Sequence, residues 1–236
     1  MKKLLLLLAA SLFNISARAQ DAAPATAAPS GLSAEEIVQM VHLSRALRND
    51  VLQGELNKGG KTVPFTVKLQ ENLIHFSFEN PKQNINLDIT DKGYRLKEVT
   101  ANSNKEVPAA MYGTGVRGTD LTYDDISFRY LYWGKKVKIG EETIKTRKCY
   151  VVDLYNNPQR LGEYYLVRIF VDKESGGLMR MQAYDWNGKR IKTCTVTAGM
   201  KINGATVLKS MDVVRYDPDS GKVTGETSFE LHKPSK

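Results

Sequence analysis

Two hydrophobic periods alternate along this chain. Ile37, Met40, Val41 and Leu43 recur at helical spacing, which gives one apolar face. Ser33-Ala34-Glu35-Glu36 precedes them. It fits a capping box, in which hydroxyl and carboxylate satisfy each other's orphan backbone donors. A helix is predicted from Ser33 to near Leu47. From Val51 the period becomes two. Asn57-Lys58-Gly59-Gly60-Lys61 reads as a hairpin turn. Then Phe65, Val67 and Leu69 alternate with polar residues, followed by Ile74, Phe76 and Phe78, and by Ile85, Leu87 and Ile89. Each run has one apolar and one polar face, the pattern of antiparallel strands that curve over a core and keep their other side wet.

The middle of the chain breaks this pattern. Thr122-Tyr123-Asp124-Asp125 forms a second capping box, and Ile126, Arg129, Tyr130 and Trp133 follow at helical offsets. A loop and then a helix are expected. Strands resume at 147–154, 164–172, 178–185, 189–198, 205–216 and 224–232. Turn sequences such as Asn187-Gly188 and Asn203-Gly204 separate them, because these residues tolerate positive φ. The fold expected is α+β and mainly β: an incomplete antiparallel barrel of roughly ten strands, with helices forming a lid over its concave face.

The first residues change where this domain is expected to work. Lys2 and Lys3, an apolar stretch from Leu4 to Ile15, and Ala17-Arg18-Ala19 read as a secretory signal peptide over residues 1–19. A spanning helix needs about 20 apolar residues, and Asn14, Ser16 and Arg18 interrupt this stretch too early. Residues 20–32, rich in Ala, Pro, Thr and Ser, read as a flexible linker, and 33–236 as a single domain. The expected location is the periplasm of a bacterium. The formal net charge is +8, and removal of the leader takes Lys2, Lys3 and Arg18 with it. The remaining basic residues are interspersed with acids, so a solvated mixed-charge surface is expected rather than a nucleic-acid partner. Export permits a disulfide between Cys149 and Cys194. Two buried thiols are the alternative.

Candidate chemistry is sparse. His42, His75 and His232 lack metal-ligand spacing, and the two cysteines lack the paired spacing of a zinc site. No nucleophile elbow or phosphate loop is present in the sequence. Gly113-Thr114-Gly115 reads as a plain loop. Asp120, Asp124 and Asp125 form the densest acidic group. As catalysts two of them would be an acid/base pair; as structure they cap a helix and complement its dipole. The capping pattern favours the second reading. No catalytic residue, metal or cofactor is therefore expected. The apolar faces carry more. Phe65, Val67, Ile74, Phe76, Phe78, Ile85 and Leu87 are expected on one side of the sheet, with Ile126 above and Met179, Met181 and Met211 from the later strands. Methionine lines adaptable apolar sites well. These side chains line a cavity or fill a core.

One segment points to a family. Arg117-Gly118-Thr119-Asp120-Leu121-Thr122-Tyr123-Asp124-Asp125-Ile126 resembles the Arg-Gly-Ser/Thr-Asp-x-Ser/Thr-Tyr-x-Asp-Leu motif of the outer-membrane lipoprotein-sorting proteins. These belong to the LolA/LolB-like lipoprotein-carrier superfamily. Arg117, Gly118, Asp120, Tyr123 and Asp125 occupy its motif positions. The resemblance implies a half-barrel with a helical lid, whose hollow holds acyl chains of a lipoprotein or another lipid. It also implies an inner-membrane releasing complex and an outer-membrane acceptor as partners, and a monomer. The competing classes are a non-transporting envelope sensor and, with less support, an envelope hydrolase that would need the three aspartates.

Overall fold

The computed structural model describes residues 31–45, 50–70, 72–90, 93–156, 162–202 and 205–233. The predicted leader, most of the linker and the end of the first helix near Leu47 lie outside the described residues. In chain order the elements are α1 (Ala34–Arg45), β1 (Asp50–Lys58), β2 (Lys61–Gln70), β3 (Leu73–Phe78), β4 (Gln83–Thr90), β5 (Gly93–Thr100) and β6 (Ser103–Glu106). A middle segment follows, with 3-10 turns at Ala109–Met111 and Val116–Gly118, α2 (Tyr123–Ser127) and a 3-10 turn at Arg129–Tyr132. Then come β7 (Lys135–Ile144), β8 (Arg147–Tyr155), β9 (Leu166–Asp172), β10 (Leu178–Tyr184), β11 (Arg190–Ile202), β12 (Ala205–Tyr216) and β13 (Val223–His232).

The strands form a single 13-stranded sheet in the order β6-β5-β4-β3-β2-β1-β13-β12-β11-β10-β9-β8-β7. Sequence neighbours pair as antiparallel hairpins, and β1 joins β13 antiparallel at the centre. The outer strands β6 and β7 do not meet, so the sheet stays open. The middle segment connects these two outer strands and must therefore cross the sheet's concave side. One main core results, built from the inward faces of both halves, α1 and the middle segment. Helix α1 buries Ala34, Ile37, Val38 and Val41 in it, an i, i+3, i+4, i+7 face. Of the residues the sequence pattern put there, Ile37 and Val41 are buried, Met40 is partly buried and Leu43 is exposed. The Ser33–Glu36 box is formed: the Ser33 amide donates to the Glu36 carboxylate at 2.7 Å and the Glu36 amide to the Ser33 hydroxyl at 3.2 Å.

Three strands were not legible in the pattern: β5, β6 and β7. β6 and β7 are edges, and edge strands carry charge because that blocks pairing with other chains. β7 reads Lys-Lys-Val-Lys-Ile-Gly-Glu-Glu-Thr-Ile, with Val137 and Ile139 exposed at 38% and 45%. The helix expected through Ile126, Arg129 and Tyr130 is shorter than its pattern. Phe128 adopts the left-handed conformation at φ 52°, which ends α2 after five residues. Cys149 and Cys194 are both free. They belong to clusters on opposite faces of the sheet, so they cannot bridge.

The central seam depends on a glycine. A Cβ at Gly54 would lie 2.5 Å from the Phe65 ring and 2.6 Å from the Glu230 carbonyl oxygen. Gly54→Ala is expected to cost about 1–3 kcal/mol of overpacking and to lower Tm by roughly 3–10 °C in a thermal melt. An unchanged Tm would show that β1 and β13 can part without cost.

A second check uses pH. The Asp172 carboxylate, at the end of β9, accepts from Arg147 Nη2 at 2.6 Å and the Ser175 amide at 2.9 Å. Burial opposes its charge, but these donors outweigh it and hold its pKa below the usual carboxylate value. The stability it contributes is complete above the unfolded value of about 3.9 and is lost as pH falls through the depressed folded value. Asp172→Asn should thus melt below the parent protein at pH 7, and the gap should shrink towards pH 3.

Candidate functional site

The concave face has an aromatic floor. Phe65 packs against Phe76, Phe78 and Phe229 with ring centroids 5.9, 5.8 and 5.2 Å apart. These residues meet because Phe65 pairs with Phe78, and Val67 with Phe76, across the β2–β3 ladder. Val67, Ile85, Leu87, Ile126 and Met181 are buried in the same cluster. Met179 is not among them. A bulge between Leu178 and Arg180 puts two residues of β10 opposite one of β9. Met179 accordingly packs on the outer face with Ile144, Cys149, Val151 and Phe170.

Burial of this face is uneven. At the strand ends nearest the middle segment it is largely closed, Val63 being partly buried there. At the opposite ends Leu69, Ile74, Ile89, Met200, Ile202 and Leu208 are only partly buried although they pack against the core, as are Phe76 and Met211 further in. The sheet thus carries an apolar strip, shared by β2–β4 and β11–β12, that the described residues do not fully cover.

Four motif residues, Arg117, Asp120, Tyr123 and Asp125, fasten the middle segment to the sheet. Arg117 sits at φ 56° and Gly118 at φ 77°, which reverses the chain. That turn aims the Arg117 guanidinium at the β3–β4 connection. It donates to the Pro81 carbonyl at 3.2 Å and the Asn80 carbonyl at 2.7 Å, and lies over the Phe78 ring. Asp120 receives Lys58 from β1 at 2.8 Å and the Thr227 hydroxyl from β13 at 2.9 Å. It fits because β13 carries Gly225, where a Cβ would come within 2.4 Å of the carboxylate. The Tyr123 hydroxyl accepts from Gln83 of β4 at 3.1 Å, and Gln83 also donates to Glu98. Burial, with the Glu98 charge adding to it, pushes the Tyr123 phenol up to about 12. Asp124 pairs with Arg129, whose guanidinium rests 4.9 Å from the Tyr112 ring.

Asp125 is the fourth point. Its carboxylate accepts from the Thr122 amide at 2.7 Å and closes the capping box. It also receives Lys192 of β11 at 2.6 Å and the Tyr164 hydroxyl at 2.8 Å. Lys192 is 0% exposed. Burial, and then the Asp125 charge, raise the Tyr164 phenol well above its ordinary value, so it stays a donor. Tyr123 and Asp125 are two residues apart, yet they hold β4 and β11, which stand six ladder steps apart. Six steps are about 29 Å along a flat sheet, so the sheet curls around the segment.

This geometry decides what the acidic group does. Asp120, Asp124 and Asp125 are buried, and cations or hydroxyls occupy their oxygens. They anchor a lid. Burial raises the Cys149 and Cys194 thiols, which disfavours the nucleophilic thiolate. On the outer face of the seam, Glu55, Glu230 and His232 bring ligating atoms within 4.8 Å of one another. Sequence spacing hid this group because it spans β1 and β13. Lys58, Gln83, Tyr164, Lys192 and Thr227 were likewise missed as partners of the motif. Lys192 left one usable signal: it shares strand parity with Cys194, which is buried as well.

The comparisons bear on the fold. Residues 100–232, more than half of the chain, match a family model described as "Uncharacterized protein". The chain belongs to that family. Among curated proteins none matches. Three solved structures share the architecture. A putative outer membrane lipoprotein-sorting protein domain from Vibrio parahaemolyticus superposes with a TM-score of 0.68 at 12% identity, covering 85% of this chain and 90% of that one. A DUF1329 family protein from Desulfovibrio piger gives 0.66 at 16%, covering 84% and 90%. A LolA superfamily protein from Nitrosomonas europaea gives 0.62 at 13%, covering 86% and 93%. The fold is LolA-like, as the motif implied.

The lid anchor makes a sharp expectation for this LolA-like fold. Removing one partner of a buried ion pair leaves the other charge uncompensated, at a cost of about 3–5 kcal/mol. Lys192→Met should destabilise by that order in urea denaturation. Adding Asp125→Asn should recover part of the loss. Simple additivity of the two changes would mean that the pair does not couple.

Proposed function

We propose that this protein is a carrier of the bacterial envelope that binds acyl chains of lipoproteins or related lipids on the concave face of its sheet. The observation that carries the reading is the partly covered apolar strip at the strand ends away from the lid. Eight large apolar side chains that pack against the core are left partly wet there. A ligand of matching chemistry would cover them. Burying one CH₂ is worth about 0.8 kcal/mol, so a dozen methylenes offer up to about 10 kcal/mol. Met200 and Met211 suit such a ligand because methionine adapts to chains of different shape.

The remaining parts of the proposal follow from that site. Residues 1–19 direct export and are removed, and residues 20–32 link the cleaved end to the carrier domain at 33–236. A releasing complex in the inner membrane loads the site and an acceptor at the outer membrane empties it. The solved relative described as a lipoprotein-sorting domain supports this direction. The engaged state of Asp120, Asp124 and Asp125 speaks against the hydrolase alternative, because a working acid/base pair needs a free carboxyl edge.

The test is titration with a fluorescent fatty acid, together with native mass spectrometry of the protein purified from its own envelope. A co-purifying lipid and displacement of the probe are expected. Ile74→Asp and Leu208→Asp should each weaken probe binding by about tenfold or more, since each puts a charge among apolar groups. Ile139→Ser, on the exposed edge strand, should leave it unchanged. A protein that carries no lipid and binds no probe would reduce the strip to an ordinary core margin.

A further inference from the structure

Six neighbouring strands end in aromatic or basic residues at one end of the sheet. β7 begins at Lys135, β8 ends at Tyr155, Tyr165 stands just before β9, β10 ends at Tyr184, β11 begins at Arg190 and β12 ends at Tyr216. These are adjacent strands in the order β12-β11-β10-β9-β8-β7. Because the ladders are antiparallel, the six positions fall along one rim.

The rim is knit by ring contacts. Tyr155 and Tyr165 lie 5.9 Å apart, and Tyr165 and Trp186 5.5 Å. The Lys135 ammonium sits 4.6 Å from the Tyr155 ring, and the Arg190 guanidinium 4.5 Å from the Tyr216 ring. Lys135, Tyr165 and Arg190 are exposed. Of the carboxylates at this end, Asp219 in the β12–β13 turn is exposed, and four others are engaged. Asp153 is held by Arg168 at 2.7 Å, Asp185 by the turn amides of Asn187 and Lys189, and Asp217 by Ser220. Glu163 pairs with Arg215 at 3.2 Å. Among the described residues Lys135 and Arg190 form no ion pair.

We infer that this rim is a docking surface for an anionic lipid bilayer. Tyrosine and tryptophan partition to the headgroup level, where an apolar ring and a polar tip are both satisfied. Lysine and arginine beside them meet anionic headgroups. Alternating rings and cations supply both at one depth. The net charge from Gln20 onward, +8 less the three of Lys2, Lys3 and Arg18, is still basic and favours approach to an anionic surface. The partly covered apolar strip lies at the opposite strand ends. A docked molecule therefore keeps that strip on the aqueous side, open to a soluble donor. The rim does not depend on the carrier reading, and the two can fail separately.

The experiment uses the chain from Gln20 onward. The apolar leader would bind vesicles by itself, and Leu32–Lys236 forms a compact unit of its own. Co-sedimentation is measured with vesicles of phosphatidylglycerol and phosphatidylcholine, and with phosphatidylcholine alone, across a salt series. Expected are binding to the anionic vesicles that weakens with salt and a blue shift of tryptophan emission that Trp186→Phe abolishes. The double variant Lys135→Glu/Arg190→Glu should bind them at least about 30-fold more weakly. Both side chains are exposed, so the variant's melting curve should match the parent's, and its fluorescent fatty-acid affinity should be retained. Equal vesicle binding by parent and double variant overturns the inference, as does absence of binding to anionic vesicles. Binding of polyglutamate without binding of vesicles would overturn it in favour of an acidic protein partner. Failure of the parent to bind fatty acid would sink the carrier reading and leave the vesicle result standing.

Discussion

A lysine with no solvent exposure stands in the floor of this sheet, and most of the architecture answers to it. An unpaired buried ammonium is costly, so Lys192 can keep its place only with a carboxylate against it. That carboxylate is Asp125, which is also the residue that caps α2. The cap fixes the lid to itself and the ion pair fixes the lid to β11. Tyr164 takes the other carboxylate oxygen. One side chain thereby couples local helix chemistry to tertiary closure.

The same economy explains why the lid is short of regular structure. A long continuous helix would span the sheet with one face and reach few of the strands. The observed segment breaks at Arg117 and Phe128, both left-handed. Each break redirects side chains. The first aims Arg117 at the β3–β4 turn, and the second lets Arg129 fold back onto Asp124. The lid is fastened by polar contacts at several separate strands, and apolar packing from Tyr123, Ile126, Tyr130 and Leu131 fills the space beneath it. Closure at this end is strong, which leaves the other end for the ligand exchange we propose.

Much of the fold was legible because period and turn chemistry agree. Both capping boxes form as their spacing predicts, and the alternation of Phe65 to Leu69 and Ile74 to Phe78 survives as paired strands. The failures have physical causes. β6 and β7 are edges, where charge replaces alternation. Met179 left the expected face because a bulge adds one residue to β10, and no residue type in Leu-Met-Arg-Met signals that shift. The helix predicted through Ile126, Arg129 and Tyr130 lost to tertiary contacts that reward a turn at Phe128. The site was half legible. The motif aspartates were readable as caps from spacing alone. Their long-range partners were not, since Lys58, Lys192 and Thr227 lie 62, 67 and 107 positions from the aspartates they hold.

The open sheet makes its two ends inequivalent. If β6 and β7 paired, the barrel would close, and the inner face would have to be filled by side chains or hold a cavity with two similar mouths. Instead a single connection runs from β6 to β7 across the concave side and is tied down at one end of the strands. That end excludes water and tolerates buried charge, because the charges there meet partners held by the backbone. The far end has α1 over β7 and β8, while the apolar ends of β2–β4 and β11–β12 stay partly wet. An amphiphile can satisfy such a site without disturbing the anchor: its chain covers the strip and its polar head stays in water. The motif thus belongs to the wall that makes the open face one-sided, and on the proposed carrier reading cargo choice would belong to the uncapped strand ends.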